Sequence, residues 1–286
     1  MKFTFGIITS GIDDRIGRII DSIESLNIPK YEIIIVGNCN LKRTNTRIIP
    51  FDEDIKSKWI TKKKNIITQL ATYENIVYLH DYFYFNPDWY DGWLKYGDDY
   101  KVCMNRILNL DGTRYRDWVL WVCNGNDTDI PVPGHHPIDD LVAEYRGALI
   151  PYDMIHLSKY MYFSGAYWVG KRDVMLEFPL DETLIWGQGE DVKWSKEIRK
   201  KYNFSMNPYS TVQLMVQKDR AFEESKSEMI KKLKTELRGH SGITPLIRSV
   251  SIHPIETPPN PNEALNPNET PENMAVDTRE NQSNNE

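Results

Sequence analysis

Phe3-Thr4-Phe5-Gly6-Ile7-Ile8-Thr9 and Tyr31-Glu32-Ile33-Ile34-Ile35-Val36-Gly37 are the two runs that decide the fold. Both are almost wholly apolar, the pattern of strands covered on both faces of a sheet. Between them, Ile16, Ile19, Ile20, Ile23 and Leu26 recur at helical spacing. Thr9-Ser10-Gly11 makes the turn into that helix, Asp13 or Asp14 stands near its start, and Asn27 and Pro29 end it. Strand, helix and strand in this order predict a parallel sheet with a right-handed crossover, and so an α/β fold.

The same reading extends outward. Residues 47–51 predict a short strand, 62–71 a helix, and 75–79 another buried strand that runs into His80-Asp81. Ligands of open α/β sheets sit beyond the carboxyl ends of the strands. That directs attention to residues 9–11, 37–40 and 80–82. Residues 102–160, rich in aromatics, Gly, Pro and Asp, predict an irregular insertion around the site. A strand over 162–169, a helix over 191–202 and a charged surface helix over 221–237 follow. From residue 251 the composition turns to Pro, Asn, Glu and Thr, which cannot bury enough apolar surface to offset its ordering entropy. The expected organisation is a domain over 1–250 and a disordered tail over 251–286.

With 286 residues, 40% of them hydrophobic and 12% aromatic, the chain can build a sizeable core. A formal net charge of −6 gives no global support for binding nucleic acid. The local basic clusters in 56–64 and 193–201 suit a small anion better. Three cysteines, Cys39, Cys103 and Cys123, with no Cys-x-x-Cys spacing argue against a disulfide framework or a zinc knuckle. The opening run is too short and too quickly broken for a signal peptide, and no stretch is long enough to span a bilayer. The expectation is a cytoplasmic protein with no membrane span.

Two motifs carry chemistry. The first is Ile76-Val77-Tyr78-Leu79-His80-Asp81-Tyr82, an apolar strand ending in acid. The second is Trp186-Gly187-Gln188-Gly189-Glu190-Asp191-Val192-Lys193-Trp194. The first resembles the metal-binding motif of GT-A glycosyltransferases, with His-Asp-Tyr in place of the usual Asp-x-Asp. The second resembles the Trp-Gly-x-Gly-Glu-Asp stretch of β-1,4-galactosyltransferases and, more loosely, the Glu-Asp motif of inverting family 2 enzymes. The resemblance covers roughly residues 3–205. It implies a GT-A (Rossmann-like nucleotide-diphospho-sugar transferase) fold with a mostly parallel central sheet flanked by helices.

By that resemblance, Asp191 is the general base toward an acceptor hydroxyl and Glu190 holds the acceptor. Asp81 is the ligand of a divalent metal, Mn²⁺ or Mg²⁺, with His80 on the metal or the nucleotide and His240 completing the metal shell. A hard cation with oxygen ligands would neutralise a departing diphosphate. Trp186 offers a flat face to a sugar, Gly187 and Gly189 let the loop move, and Gly165 and Trp168 lie beneath the sugars on the strand Phe163-Ser164-Gly165-Ala166-Tyr167-Trp168-Val169. Lys64 and Asn65 face phosphate, or uracil and ribose, and Thr9, Ser10 and Asn38 stand at the other strand ends. The donor is a nucleotide sugar and the acceptor a glycan, glycolipid or protein. Lys62 and Lys63 read as a solvated helix face, and Arg116-Asp117-Trp118 with Trp121 as either an acceptor groove or packing. Neither a P-loop nor a Gly-x-Gly-x-x-Gly follows the first strand. Two rivals stand beside the transferase: a non-catalytic sugar-nucleotide or glycan-binding protein of the same fold, and a sugar nucleotidyltransferase. The latter calls for a Gly-rich, Arg-containing loop after the first strand, which Thr9-Ser10-Gly11-Ile12-Asp13-Asp14-Arg15 only faintly matches.

Overall fold

The opening strand–helix–strand forms as its pattern requires: β1 (Phe3–Ile8), α1 (Asp13–Ser25) and β2 (Tyr31–Val36). The computed structural model describes residues 1–120, 148–150, 152 and 161–218, all within one compact unit, Met1–His240. The expected helix over 221–237, His240 and the tail lie outside the described residues. In α1 the helically spaced Ile16, Ile19, Ile20 and Ile23 are all buried. β3 (Thr46–Ile49), α2 (Ile60–Leu70) and β4 (Asn75–His80) follow, then β5 (Phe83–Phe85) and α3 (Trp89–Tyr96). β6 (Val102–Leu108), β7 (Val119–Leu120), β8 (Ala148–Leu149), β9 (Met161–Tyr162) and β10 (Tyr167–Lys171) come next. The described chain ends with α4 (Arg172–Glu177), α5 (Glu190–Arg199) and β11 (Phe204–Leu214).

The main sheet has eight strands in the order β3-β2-β1-β4-β10-β6-β11-β5. β3, β2, β1 and β4 are mutually parallel, as are β6 and β11. β10 enters antiparallel between β4 and β6, and β5 closes the edge antiparallel to β11. A second, small sheet runs β8-β7-β9.

The structure adds β5, α3 and α4, for which the sequence carried no expectation, and strands β7 and β8 within the span read as irregular; three further differences have a local physical reason. The strand expected over 162–169 is two: β9 pairs in the small sheet, and β10 in the large one after a turn at Ser164–Ala166. β6 lies in the main sheet although its residues were read as part of an irregular insertion. Its polar Asn105 breaks the apolar pattern because it has a buried partner: Tyr167 donates its hydroxyl to Asn105 Oδ1 at 2.6 Å and accepts from Trp89 Nε1 at 3.0 Å. β11 is masked by Pro208, which lacks an N–H and sits where the β6–β11 register shifts, between Asn207 and Thr211.

One face of the sheet is packed with rings. Trp89 meets Phe3, Phe5, Phe85 and Trp93 at centroid distances of 5.0, 5.4, 5.1 and 5.9 Å. This packing seats α3 on β11, where Ser210 donates to Trp89 O at 2.8 Å. Among the described residues no helix is long and apolar enough to cross a membrane.

Gly92 of α3 lies directly on the Tyr209 carbonyl, so an added methyl would run into backbone that cannot rotate away. Gly→Ala in an open helix stabilises, by about 0.4–1 kcal/mol. At this contact the sign reverses: Gly92→Ala is expected to cost about 1–3 kcal/mol, read from the midpoint of urea unfolding.

Candidate active site

The site forms where three chain segments converge on the carboxyl end of β4. Ile8 of β1 is in register with His80, which sets Thr9 beside Asp81. The Thr9 hydroxyl donates to Asp81 Oδ2 at 2.6 Å and accepts the Gly11 N–H at 2.9 Å. On the other side of β4, Tyr167 of β10 pairs with Leu79, so the turn before β10 abuts His80. The His80 N–H donates to Ala166 O at 3.1 Å.

Gly165 in that turn is the junction between the two motifs. Its N–H donates to Asp191 Oδ2 at 2.7 Å, and its carbonyl accepts the Lys64 ammonium. A side chain there would meet Asp191 Cβ, Asp191 Oδ2 and Glu190 Oε1, each at 3.2 Å. Glycine is needed for this close approach rather than for an unusual backbone angle. The Asp191 carboxylate also accepts its neighbour's N–H, from Val192 to Oδ1 at 2.8 Å, at the positive end of α5. Phe163 N–H donates to Ser195 Oγ at 3.0 Å and ties the same turn to the body of α5.

The charges beneath this junction are buried. Glu190 is 5% exposed, and its carboxyl is raised above the usual range by burial and then by the adjacent Asp191, with Lys64 opposing. Lys64 is fully buried, with its ammonium 4.4 Å from the Trp168 ring centroid. Burial lowers it to about 8, and the attraction of Glu190 and Asp191 limits the fall. Trp168, expected beneath the substrate, is core instead. It is 1% exposed and packed on Tyr78 at 4.9 Å and Trp194 at 5.2 Å.

Asn65, expected at the nucleotide, brackets Leu180: it accepts the Leu180 N–H at 3.0 Å and donates to Leu180 O at 2.9 Å. Lys63, expected on a solvated face, is 3% exposed and donates to Thr9 O while pairing with Glu53. These lysines read as a surface because a charge run does not reveal what folds over it.

Above the junction the surface opens. Trp186 is 56% exposed, with Lys58 Nζ 5.1 Å from its ring centroid. Gly187 and Gly189 have φ of 84° and 72°, a left-handed backbone that favours glycine, with no atom within 4 Å of where a Cβ would lie. Ser10 and Asn38 are exposed. Asn38 lines a cleft of about 460 Å³ with Pro50, Phe51, Asp52, Glu53 and Asp54, beyond the carboxyl ends of β2 and β3.

A second group of charges stands at Asp81, and the sequence reading missed most of it. Lys218, past the end of β11, sets its ammonium 3.5 Å from the Tyr82 ring centroid and 5.7 Å from that of Tyr115. Arg116 lies 5.7 Å from the Tyr115 ring. Burial lowers Lys218 to about 8, Arg116 and Arg15 push the same way, and Asp81 opposes them. Lys218 falls outside both motifs, in the plain string Val216-Gln217-Lys218-Asp219, so no local signal marks it. The neighbours of Arg116 are packing residues. Asp117 and Trp118 are fully buried, with Asp117 accepting from Arg114 Nη2 at 2.7 Å and Tyr152 Oη at 2.6 Å.

The described residues around Asp81 do not by themselves complete a shell for a divalent cation. Among the described residues no group of three or more His, Cys, Asp or Glu side chains could hold one. Asp81 already accepts from Thr9 and faces Lys218. The His80 ring is shifted well below its ordinary range by burial and then by Lys64 and Lys218, which favours the neutral form able to ligate a metal, and its Nε2 is buried without a hydrogen-bond partner among the described residues. His240, the other expected ligand, lies outside the described residues.

No protein-family model matches the chain, and no curated protein does. Solved structures do. GalNAc-T7, crystallised with UDP, GalNAc and Mn²⁺, is similar at a TM-score of 0.51 and 12% identity, over 78% of this chain and 44% of that one. S. aureus TarS 1-349 in complex with UDP matches at 0.46 and 14%, over 75% of this chain and 61% of that one. S. aureus TarS matches at 0.47 and 13%, over 85% of this chain and 44% of that one. The chain thus spans about half the length of the structures it resembles. The likeness to GalNAc-T7 speaks to the fold, which is GT-A: α/β, with a mostly parallel sheet flanked by helices.

The buried lysine gives a pH signature. Lys64 titrates near 8 when folded and near 10.5 when free, so above pH 8 the unfolded chain binds the extra proton. Its contribution therefore makes stability rise from about pH 8 toward 10.5. Lys64→Met is expected to lack that rise. The difference in unfolding free energy between wild type and variant, followed from pH 7 to 10, should grow in favour of wild type. Lys218 is present in both proteins and cancels.

Proposed function

We propose that the protein is a glycosyltransferase that moves a sugar from a nucleoside-diphosphate sugar to an acceptor hydroxyl, with inversion at the anomeric carbon. The observation that carries this reading is the Gly165 junction. It holds a carboxylate at a helix start beside the strand end that bears His80-Asp81.

In this reading Asp191 takes the proton of the acceptor hydroxyl. The oxygen attacks the anomeric carbon, the bond from that carbon to the phosphate oxygen breaks, and the nucleoside diphosphate leaves with the electron pair. Two N–H donors already orient the Asp191 carboxylate, leaving lone pairs for the incoming proton. Glu190 binds the acceptor and Trp186 stacks on a sugar ring. The left-handed glycines Gly187 and Gly189 let that loop close on substrate.

The nucleoside lies in the cleft beyond β2 and β3, where Phe51 offers a ring face and Asn38, Asp52 and Asp54 offer acceptors for base and ribose. Thr9 and Ser10 border it toward Asp81. UDP, present with GalNAc-T7, is the first nucleotide to try. The acceptor is a hydroxyl on a glycan, glycolipid or protein.

The test is turnover of a panel of UDP- and GDP-sugars. Asp191→Asn is expected to lower turnover by about 10²–10⁴-fold with nucleotide affinity unchanged. NMR of the product should show the opposite anomeric configuration to the donor. A retained configuration would remove inversion, and undiminished turnover in Asp191→Asn would remove the base assignment. Intact nucleotide binding with no turnover of any donor would favour a non-catalytic sugar-nucleotide-binding protein.

A further inference from the structure

Lys64 has no part in the steps above, and the fold denies it the phosphate contact that its place in the sequence suggested. The side chain is fully buried in α2. Its ammonium is spent on Gly165 O and lies 4.4 Å from the centroid of Trp168, itself 1% exposed. A buried ammonium is costly, and an aliphatic side chain could fill such a space without that cost. At neutral pH the charge persists, because burial lowers Lys64 only to about 8, with Glu190 and Asp191 of α5 drawing it back up.

Gly165 is where that charge acts. Glycine is required there, because a Cβ would come within 3.2 Å of both Glu190 and Asp191. Glycine is also the residue with the most backbone freedom, so by itself it would aim its N–H poorly. Two neighbouring carbonyls are held instead. Lys64 donates to Gly165 O by a charge-assisted bond, and the His80 N–H donates to Ala166 O at 3.1 Å. With the turn pinned on that side, the Gly165 N–H points at Asp191 Oδ2 at 2.7 Å.

The same helix also holds the segment that delivers Asp191. Trp59, at the start of α2, donates from Nε1 to Glu182 O at 2.7 Å, and Thr61 donates from its hydroxyl to Leu184 O at 2.8 Å. Asn65 brackets Leu180 through both of its amide atoms. The helix α2 therefore fixes both partners of the Gly165–Asp191 hydrogen bond, one through Lys64 and the other through the 180–184 segment.

We propose that Lys64 is a positioning residue for the base Asp191: its ammonium locks the Gly165 carbonyl, and the locked turn holds the Asp191 carboxylate in its working orientation without Lys64 ever meeting the nucleotide. This rests on the sugar-transfer reading, in which Asp191 receives the acceptor proton. A small misplacement of a reacting group is enough to slow a reaction strongly while leaving the binding of a distant part of the substrate intact.

The experiment combines kinetics and NMR on the full chain, with Lys64→Met as the variant. For whichever sugar of the UDP- and GDP-sugar panel turns over fastest, kcat is expected to fall about 10–100-fold and the donor KM to stay within about threefold. The Gly165 amide proton should move upfield, and the coupling across the hydrogen bond from Gly165 N to Asp191 Cγ should shrink or vanish. In the wild type that coupling should be present, as should one from Lys64 Nζ to the Gly165 carbonyl carbon. These two wild-type couplings test the proposal even if Lys64→Met does not fold, and the absence of either would overturn it.

A donor KM raised tenfold with kcat unchanged would also overturn it, since Lys64 would then be a nucleotide contact. Failure of this proposal is distinct from failure of the reading beneath it. Turnover that Asp191→Asn abolishes and Lys64→Met leaves intact keeps sugar transfer and removes the role of Lys64. Loss of the Gly165–Asp191 coupling in Lys64→Met, in a protein that turns over no nucleotide sugar, keeps the hold of Lys64 on Asp191 and removes sugar transfer.

Discussion

The peptide at Gly165 is the constraint from which the rest of the site follows. Its N–H fixes Asp191, its carbonyl receives Lys64, and its missing side chain leaves room for the Glu190-Asp191 pair. The turn can occupy this position only because β10 inserts antiparallel beside β4. A strand running the other way would carry residue 165 to the opposite edge of the sheet, away from His80. The local contact and the sheet order are thus one arrangement seen at two scales.

Two charge groups flank the junction. Beneath it, one buried ammonium faces two carboxylates. At Asp81, the carboxylate accepts from Thr9, and Lys218 lies on the neighbouring Tyr82 ring. The same physics governs both, since a charge removed from water is tolerated only beside a partner. The lower group keeps Glu190 and Asp191 in place without a side-chain helix cap, which α5 lacks.

Much of the frame was legible along the chain. β1, α1, β2 and β4 each follow a local period and stop at residues that cannot continue it. The start of α5 was readable from Gly189 and the two acids after it. β6 and β11 were not, because Asn105 and Asn207 interrupt their apolar pattern and are satisfied only by partners brought in from elsewhere. Asn105 pairs with Tyr167, and Asn207 donates to Ser210 at 2.9 Å. Trp168 and Asn65 were misplaced for a related reason. An aromatic or amide on a regular element has the same local signature whether it faces a ligand or another strand.

The sequence by itself determined the α/β class, the strand ends where polar residues gather, and the string Trp186–Asp191, because periodicity and short motifs are properties of neighbouring residues. Tertiary structure alone decided that Lys64 lies under the carboxylates, that Trp168 belongs to the core, and that Lys218 sits on the Tyr82 ring next to Asp81. Burial and electrostatic pairing depend on distances between residues far apart in the chain, as Lys64 and Gly165 are. The His80-Asp81-Tyr82 motif looked like half of a metal shell in isolation. The fold sets the Thr9 hydroxyl on Asp81 and the Lys218 ammonium on the Tyr82 ring, and that is a property of the sheet order rather than of the motif.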